Sequence, residues 1–117
     1  MYKFMIIFRQ PVDVETFERH YVQLLGLVER MPNIERRQVI NVMGSPMGRS
    51  PYYRILEIYF QDRETMEAAL MSPIGQEAGA ELYQFPQFTF EILFAEIYEE
   101  AGGRSIAPNP YEPTEKE

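Results

Sequence analysis

Residues 52–60 read YYRILEIYF, and both alternating sets of side chains in this stretch are largely apolar. Aromatic and β-branched residues dominate it, which predicts a β-strand over residues 52–61. A strand with one face in water normally alternates apolar with polar side chains. Because this strand does not, the pattern predicts a sheet whose two faces are both covered.

Three further stretches, residues 2–9, 34–43 and 88–98, combine partial alternation with aromatic and β-branched residues and also predict strands. The first and the last carry large apolar side chains in both alternating sets. Burying one such side chain is worth roughly 1.5–3 kcal/mol. A cluster of them left in water therefore indicates an interaction surface.

The region between the first two strands predicts an amphipathic helix that begins after Asp13 and ends near Met31. Asp13 is a favourable N-cap, because its carboxylate can accept hydrogen bonds from the free amides of the first turn. Pro32 disfavours helical geometry in the residue before it, and Asn33 tolerates the left-handed turn that follows. The apolar residues of this helix recur every three or four positions, at Val14, Phe17, Tyr21, Leu24, Leu25, Val28 and Met31.

Between the last two strands, the pattern predicts a helix in two parts, over residues 63–71 and 73–83. Asp62 is a second acidic N-cap, and Ser72 followed by Pro73 suits the start of a new helix. The element order is therefore β-α-β-β-α-β, which is typical of the ferredoxin-like fold. We expect an α+β subunit with a four-stranded antiparallel sheet and helices on one face.

Helices on one face leave the other face of the sheet without a cover from the same chain. Two copies packed sheet against sheet would remove its apolar side chains from water, and two-fold pairing is the commonest form of association. The sequence therefore predicts a homodimer through the sheet faces. Residues 1–98 are expected to form this domain, followed by an acidic tail with proline and glycine over residues 99–117.

Composition narrows the classes of function. The chain has 117 residues, enough for one domain with one core, and its net charge of −7 disfavours nucleic acid as a partner. It has no cysteine, which excludes a disulfide scaffold and a cysteine nucleophile and favours a reducing, cytoplasmic location. No apolar run approaches membrane-spanning length and no secretory signal is recognised, so no membrane partner is expected.

The expected ligand site is a cleft between the helices and the sheet. His20, the only histidine, borders the apolar face of the first helix, either as a proton-transfer group or as a packed boundary residue. Glu57 lies within an apolar strand, either as a site residue or in an interface ion pair, for example with Arg54 of either chain. The candidate catalytic residues are His20 and Glu57. The residues expected to line the cleft around a small apolar or aromatic ligand are Phe17, Tyr21, Leu24, Tyr53, Tyr59, Phe60 and Phe94.

The chain carries no strong catalytic or cofactor signature. It has no phosphate-binding glycine loop and no nucleophile elbow. One histidine without any cysteine cannot build a typical zinc site. We therefore expect neither a metal nor a cofactor.

Four segments in this order resemble the EthD family, which is named for a protein of ethyl tert-butyl ether degradation. They are DVETFERHY at 13–21, MPNIERR at 31–37, YRILEIYF at 53–60 and SPIGQ at 72–76. The resemblance covers nearly the whole domain. It implies a ferredoxin-like subunit of the dimeric α+β barrel superfamily, with a sheet-to-sheet homodimer and a pocket between sheet and helices.

Members of this family include pathway accessory proteins and small catalysts that need no cofactor. His20 matches a histidine often found in the family's first helix, whereas Leu25 replaces a second histidine and Asn33 replaces a glycine. We therefore expect a small-molecule-binding or accessory protein of a catabolic or biosynthetic pathway. One alternative is a cofactor-independent oxygenase- or isomerase-like enzyme that uses His20 with a tyrosine or Glu57. The other is a structural homodimer whose tail binds partners.

Overall fold

The computed structural model describes residues 1–99, which form a four-stranded antiparallel sheet with three helices on one side. The expected element order and the α+β, ferredoxin-like class are confirmed, and the second predicted helix is divided in two. The tail expected over residues 99–117 lies outside the described residues from position 100 onwards. The elements in chain order are β1 (Tyr2–Arg9), α1 (Val14–Val28), β2 (Arg36–Asn41), β3 (Tyr52–Phe60), α2 (Arg63–Met71), α3 (Pro73–Leu82) and β4 (Phe90–Glu96).

Each helix begins at a polar side chain that caps its first turn. Asp13 Oδ1 accepts a hydrogen bond from the amide of Thr16 at 3.3 Å, which satisfies one of the free donors of α1. Asp62 and Ser72 begin α2 and α3 in the same way. In the described part of the chain, none of these helices is long and apolar enough to cross a membrane.

The first helix ends at Val28 rather than near Met31. The amide of Met31 donates to the carbonyl of Val28 at 3.0 Å, so a tighter turn follows the last α-helical residue. Met31 still packs in the core and is 5% exposed. Asn33 follows with a φ of 66°, which is the left-handed turn expected at this position.

The strands lie in the order β2-β3-β1-β4, so β1 and β3 are central and β2 and β4 form the edges. Ile6 of β1 lies between Leu56 of β3 and Ile92 of β4, on the side that the helices cover. We call this side the front face. The alternate positions, such as Met5 opposite Glu57, form the back face, which no helix of the described chain covers.

The core lies between the front face and the helices. Its largest fully buried side chains are Phe8, Phe60, Leu24, Leu56, Ile58 and Val28. The ring of Phe8 lies 5.2 Å from that of Phe17, 5.8 Å from that of Tyr21 and 5.1 Å from that of Phe85, centroid to centroid. This aromatic cluster joins β1, α1 and the connection after α3, and it determines the shape of the adjacent pocket.

Candidate functional site

A pocket of about 160 Å³ opens at one end of the front face. It lies where the end of β1, the first half of α1 and the connection from α3 to β4 meet. We call it the His20 pocket. Its lining residues are Arg9, Gln10, Pro11, Val12, Asp13, Thr16, Phe17, His20, Phe85, Pro86 and Thr89.

The helix α1 places His20 in this pocket, one turn after the buried residue Phe17. The His20 ring lies 5.7 Å from the ring of Phe85. Its Nδ1 lies 3.7 Å from Oε2 of Glu81, which is beyond hydrogen-bond distance and gives an ion pair only when the imidazole is protonated. With 28% of its side chain exposed, His20 borders both the pocket and water.

Two polar side chains at the mouth of the pocket already have partners. Asp13 Oδ2 accepts a hydrogen bond from the hydroxyl of Thr16 at 2.8 Å. This bond, together with the one from the Thr16 amide, holds the pKa of the Asp13 carboxyl below its usual value. Gln10 Nε2 donates to two main-chain carbonyls near the start of β3, at 3.2 and 3.0 Å. Arg9 also lines the pocket, but its side chain is exposed and its guanidinium lies 5.3 Å from the centre of the Tyr52 ring. Among the partly buried polar groups of the lining, His20 is therefore the one whose hydrogen-bonding capacity is best placed to meet a ligand.

The inner wall of the pocket is aromatic. The rings of Phe17 and Phe85 lie 5.5 Å apart in an edge-on arrangement, and both side chains are buried. Pro86 extends this wall toward the mouth. The pocket thus offers an apolar surface with one imidazole at its border, which suits a flat apolar group that carries a single polar atom.

A hydrogen-bonded cluster anchors α1 against β3 beside the pocket. Arg54 Nη1 and Nη2 donate to the two carboxylate oxygens of Glu18 at 2.8 and 2.9 Å, and its guanidinium lies 4.6 Å from the centre of the Tyr21 ring. The hydroxyl of Tyr53 donates to the same carboxylate at 2.8 Å. The hydrogen bond from Arg54 lowers the pKa of Glu18, and the bond to Glu18 raises the pKa of Tyr53. Tyr53 is thus engaged with α1 and does not line the His20 pocket.

Glu57 lies on the back face, where it is 7% exposed and has two partners. Lys3 Nζ lies 3.1 Å from its Oε1. The hydroxyl of Tyr59 donates to the same oxygen at 2.7 Å and lies 3.2 Å from Oε1 of Gln38. The suggested ion pair with Arg54 does not form within the subunit, because residues three apart on a strand point to opposite faces. The network provides the compensation that a buried carboxylate requires.

The residues expected to line one cleft occupy different surroundings. Phe17 and His20 do line the His20 pocket. Tyr59 and Phe60 are consecutive on β3 and point to opposite faces, so they cannot both face the helices. Phe94 is 63% exposed and lies on the front face of the edge strand β4, where it and Leu24 border a separate pocket beside α3. The expected lining residues that are buried in the core are Tyr21, Leu24 and Phe60.

Two residues beside His20 were not identified from the sequence. Glu81 lies near the end of α3 and Phe85 just after it, and both reach His20 because α3 packs along α1. The spacing of residues along the chain does not show how two helices pack against each other. The sequence therefore gave no signal that Glu81 and Phe85 lie beside His20. Within residues 1–99, no three side chains of the metal-ligating types come together to hold an ion.

Comparison with known proteins identifies relatives that match this chain over most of its length. A curated relative from Rhodococcus erythropolis, described as an uncharacterized 11.0 kDa protein in the thcB-thcC intergenic region, is 27% identical over 100 residues. The match covers 82% of this chain and 94% of the relative. A crystal structure of an ethyl tert-butyl ether d (EthD) family protein from Bacillus halodurans is also 27% identical. It has a TM-score of 0.80, with 84% of this chain and 99% of that chain covered.

More distant structures share the fold alone. SnoaB, described as a cofactor-independent oxygenase from Streptomyces nogalater, is 14% identical with a TM-score of 0.63, covering 86% of this chain and 96% of that chain. A dimeric ferredoxin-like protein of unknown function from Jannaschia is 14% identical with a TM-score of 0.60, covering 83% of this chain and 100% of that chain.

The family model described as the EthD domain matches residues 9–85, which include α1, His20 and the connection that carries Phe85. That span is well over half of the chain. It also includes the four segments that carried the resemblance in the sequence. The chain belongs to the EthD family.

Proposed function

We propose that this protein is a small-molecule-binding accessory protein that holds a compact aromatic molecule in the His20 pocket. The observation that carries the proposal is a pocket of about 160 Å³ with an aromatic inner wall and one imidazole at its border. An engineered apolar cavity of about 150 Å³ is large enough to bind benzene. The His20 pocket is therefore suited to one six-membered ring with a small substituent.

The distribution of polar groups indicates the chemistry of this ligand. Asp13 and Gln10 already have hydrogen-bond partners within the protein, whereas no group of residues 1–99 lies within hydrogen-bond distance of the His20 ring nitrogens. Neutral imidazole has one donor and one acceptor nitrogen. A ring that carries one hydroxyl or carbonyl group would satisfy His20 and bury its apolar part against Phe17 and Phe85.

The pairing of His20 with Glu81 favours a second candidate, a small enzyme that transfers a proton in this pocket. A carboxylate 3.7 Å from the imidazole can orient it and stabilise its protonated form. Glu57 does not take this role within one subunit, because it lies on the back face of the sheet. SnoaB, a cofactor-independent oxygenase of the same fold, shows that this architecture can hold a catalyst. For the enzyme, Glu81→Gln would slow turnover of a bound ligand, while a pure binding protein would show no turnover to slow.

We also propose that the protein acts as a homodimer through the back face. Met5, Ile7 and Ile55 lie there on the two central strands, and Leu93 on β4 is 45% exposed. Glu57 on the same face is neutralised by its partner Lys3 and adds no uncompensated charge. The Jannaschia protein of the same fold is described as dimeric, which supports the association of two subunits.

The test uses phenol as a probe, because it combines one ring with one hydroxyl. Titration followed by NMR should give saturable shifts of the His20 imidazole and of the Phe17 and Phe85 ring signals. His20→Phe keeps an apolar wall but removes the hydrogen-bonding nitrogens, and it should weaken phenol binding by about tenfold, the value of one hydrogen bond. Arg19→Ala, at an exposed position next to His20, is the matched control and should leave binding unchanged.

Shifts that do not saturate, or equal phenol affinity in wild type and His20→Phe, would contradict the proposed function. Loss of binding in Arg19→Ala to the same extent would show that the effect of the histidine substitution is not local.

A further inference from the structure

A second pocket, of about 110 Å³, lies between α3 and β4 and shares no lining residue with the His20 pocket. Its floor is formed by core side chains that include Leu24 and Val28, which are almost fully buried. Its outer wall is formed by Ile92 and Phe94 of the edge strand β4. The pocket therefore connects the core with the surface at the side of the sheet.

The edge strand explains why this space is open. Ile92 and Phe94 lie on the front face, opposite the buried residues Ile6 and Phe4, yet they are 42% and 63% exposed. The backbones of the helices stay apart from this strand, because no Cα of a described helix comes within 8 Å of a Cα of β4. At Gly79 of α3, which borders the pocket, an added Cβ would meet no atom within 4 Å. Gly79 therefore leaves open a space that the side chain of any larger residue would occupy.

We propose that this pocket is a second binding site, specific for a small hydrocarbon or an alkyl group without polar atoms. Every residue that lines it is apolar or glycine, so the lining side chains offer no hydrogen bond to a ligand. A polar group placed there would lose its hydrogen bonds to water without replacement. A closed cavity of about 150 Å³ holds benzene. At about 110 Å³ the pocket encloses about four carbon atoms, and because it is open at the surface beside Ile92 and Phe94 it can hold a six-carbon ring that projects from its mouth.

Benzene is the probe, and two glycines give a matched pair of variants. Gly79→Leu should fill the pocket, while Gly26→Leu makes the same substitution in α1, where an added Cβ also meets nothing within 4 Å. Gly26 does not border the pocket. Leucine favours helix over glycine, so both variants should fold.

The readout is methyl NMR of Leu24, Val28 and Ile92 during a benzene titration, with the His20 imidazole signal reporting the other pocket separately. We expect saturable methyl shifts in wild type and in Gly26→Leu, and an apparent Kd at least about tenfold weaker in Gly79→Leu. Equal affinities in Gly79→Leu and wild type, or methyl shifts that never saturate, would overturn the proposal.

Discussion

Replacing Arg54 with methionine is expected to lower the free energy of unfolding by about 2 kcal/mol. The Arg54 side chain is 13% exposed and donates three hydrogen bonds, two to Glu18 and one to Asn41. Methionine can keep the apolar contact with the Tyr21 ring, but it has no donor and no charge. The substitution therefore isolates the polar part of the cluster that anchors α1 to β3.

The magnitude lies between two limits. Breaking a buried ion pair costs roughly 3–5 kcal/mol, because the remaining charge has no partner, whereas an exposed pair contributes only about 0.2–1 kcal/mol. The Glu18 side chain is 38% exposed, so water can reach its carboxylate after the substitution. The hydroxyl of Tyr53 also still donates to it. Both features reduce the loss to about 2 kcal/mol.

Urea unfolding followed by circular dichroism measures this loss, at one protein concentration because association shifts the apparent stability. The control is Arg63→Met, which removes an ion pair with Glu67 whose two side chains are 69% and 55% exposed. The control should shift the unfolding midpoint far less than Arg54→Met. Equal shifts in the two variants would refute the conclusion that the Arg54 cluster anchors the helix.

Three further predictions concern acid stability, backbone strain and association. The hydrogen bond from Arg54 lowers the pKa of Glu18 below its usual 4.5. The ionised Glu18 carboxylate therefore stabilises the fold above pH 4.5, and this stabilisation is lost as the pH falls through the pKa of Glu18 in the folded protein. Urea midpoints of wild type and Glu18→Gln should therefore differ at neutral pH and converge as the pH falls through the folded pKa of Glu18. Phe88 is 88% exposed with a φ of 64°, so Phe88→Gly should raise the free energy of unfolding by about 0.5 kcal/mol in urea titrations, while Gln87→Gly should lower it. Leu93→Glu should convert the proposed dimer to a monomer in sedimentation velocity, while Val22→Glu, on the exposed side of α1, should not.

The fold could be predicted because its signals are local. Asp13, Asp62 and the Ser72-Pro73 pair begin the three helices where the capping rules place them. The alternation of the strands gives their approximate positions. Only the ends differ: β2 covers Arg36–Asn41 rather than residues 34–43, although the amides of Glu35 and Val42 still donate to carbonyls of β3 on either side of it.

The site could be predicted only in part, because it depends on contacts between distant elements. Alternation shows that Tyr59 and Phe60 point to opposite faces, but with apolar residues in both sets it does not reveal which face the helices cover. The same ambiguity hides that Glu57 belongs to the back face. Glu81 and Phe85 meet His20 only through the packing of α3 on α1, which no periodicity in the sequence encodes.

The most direct test of the proposed ligand site is the position of bound phenol relative to the two faces of the sheet. Nuclear Overhauser effects between phenol protons and the protein measure this position without any variant. We expect contacts with the His20 imidazole and with the rings of Phe17 and Phe85. Contacts instead with Tyr59 and Lys3 on the back face would contradict the assignment of the His20 pocket as the binding site.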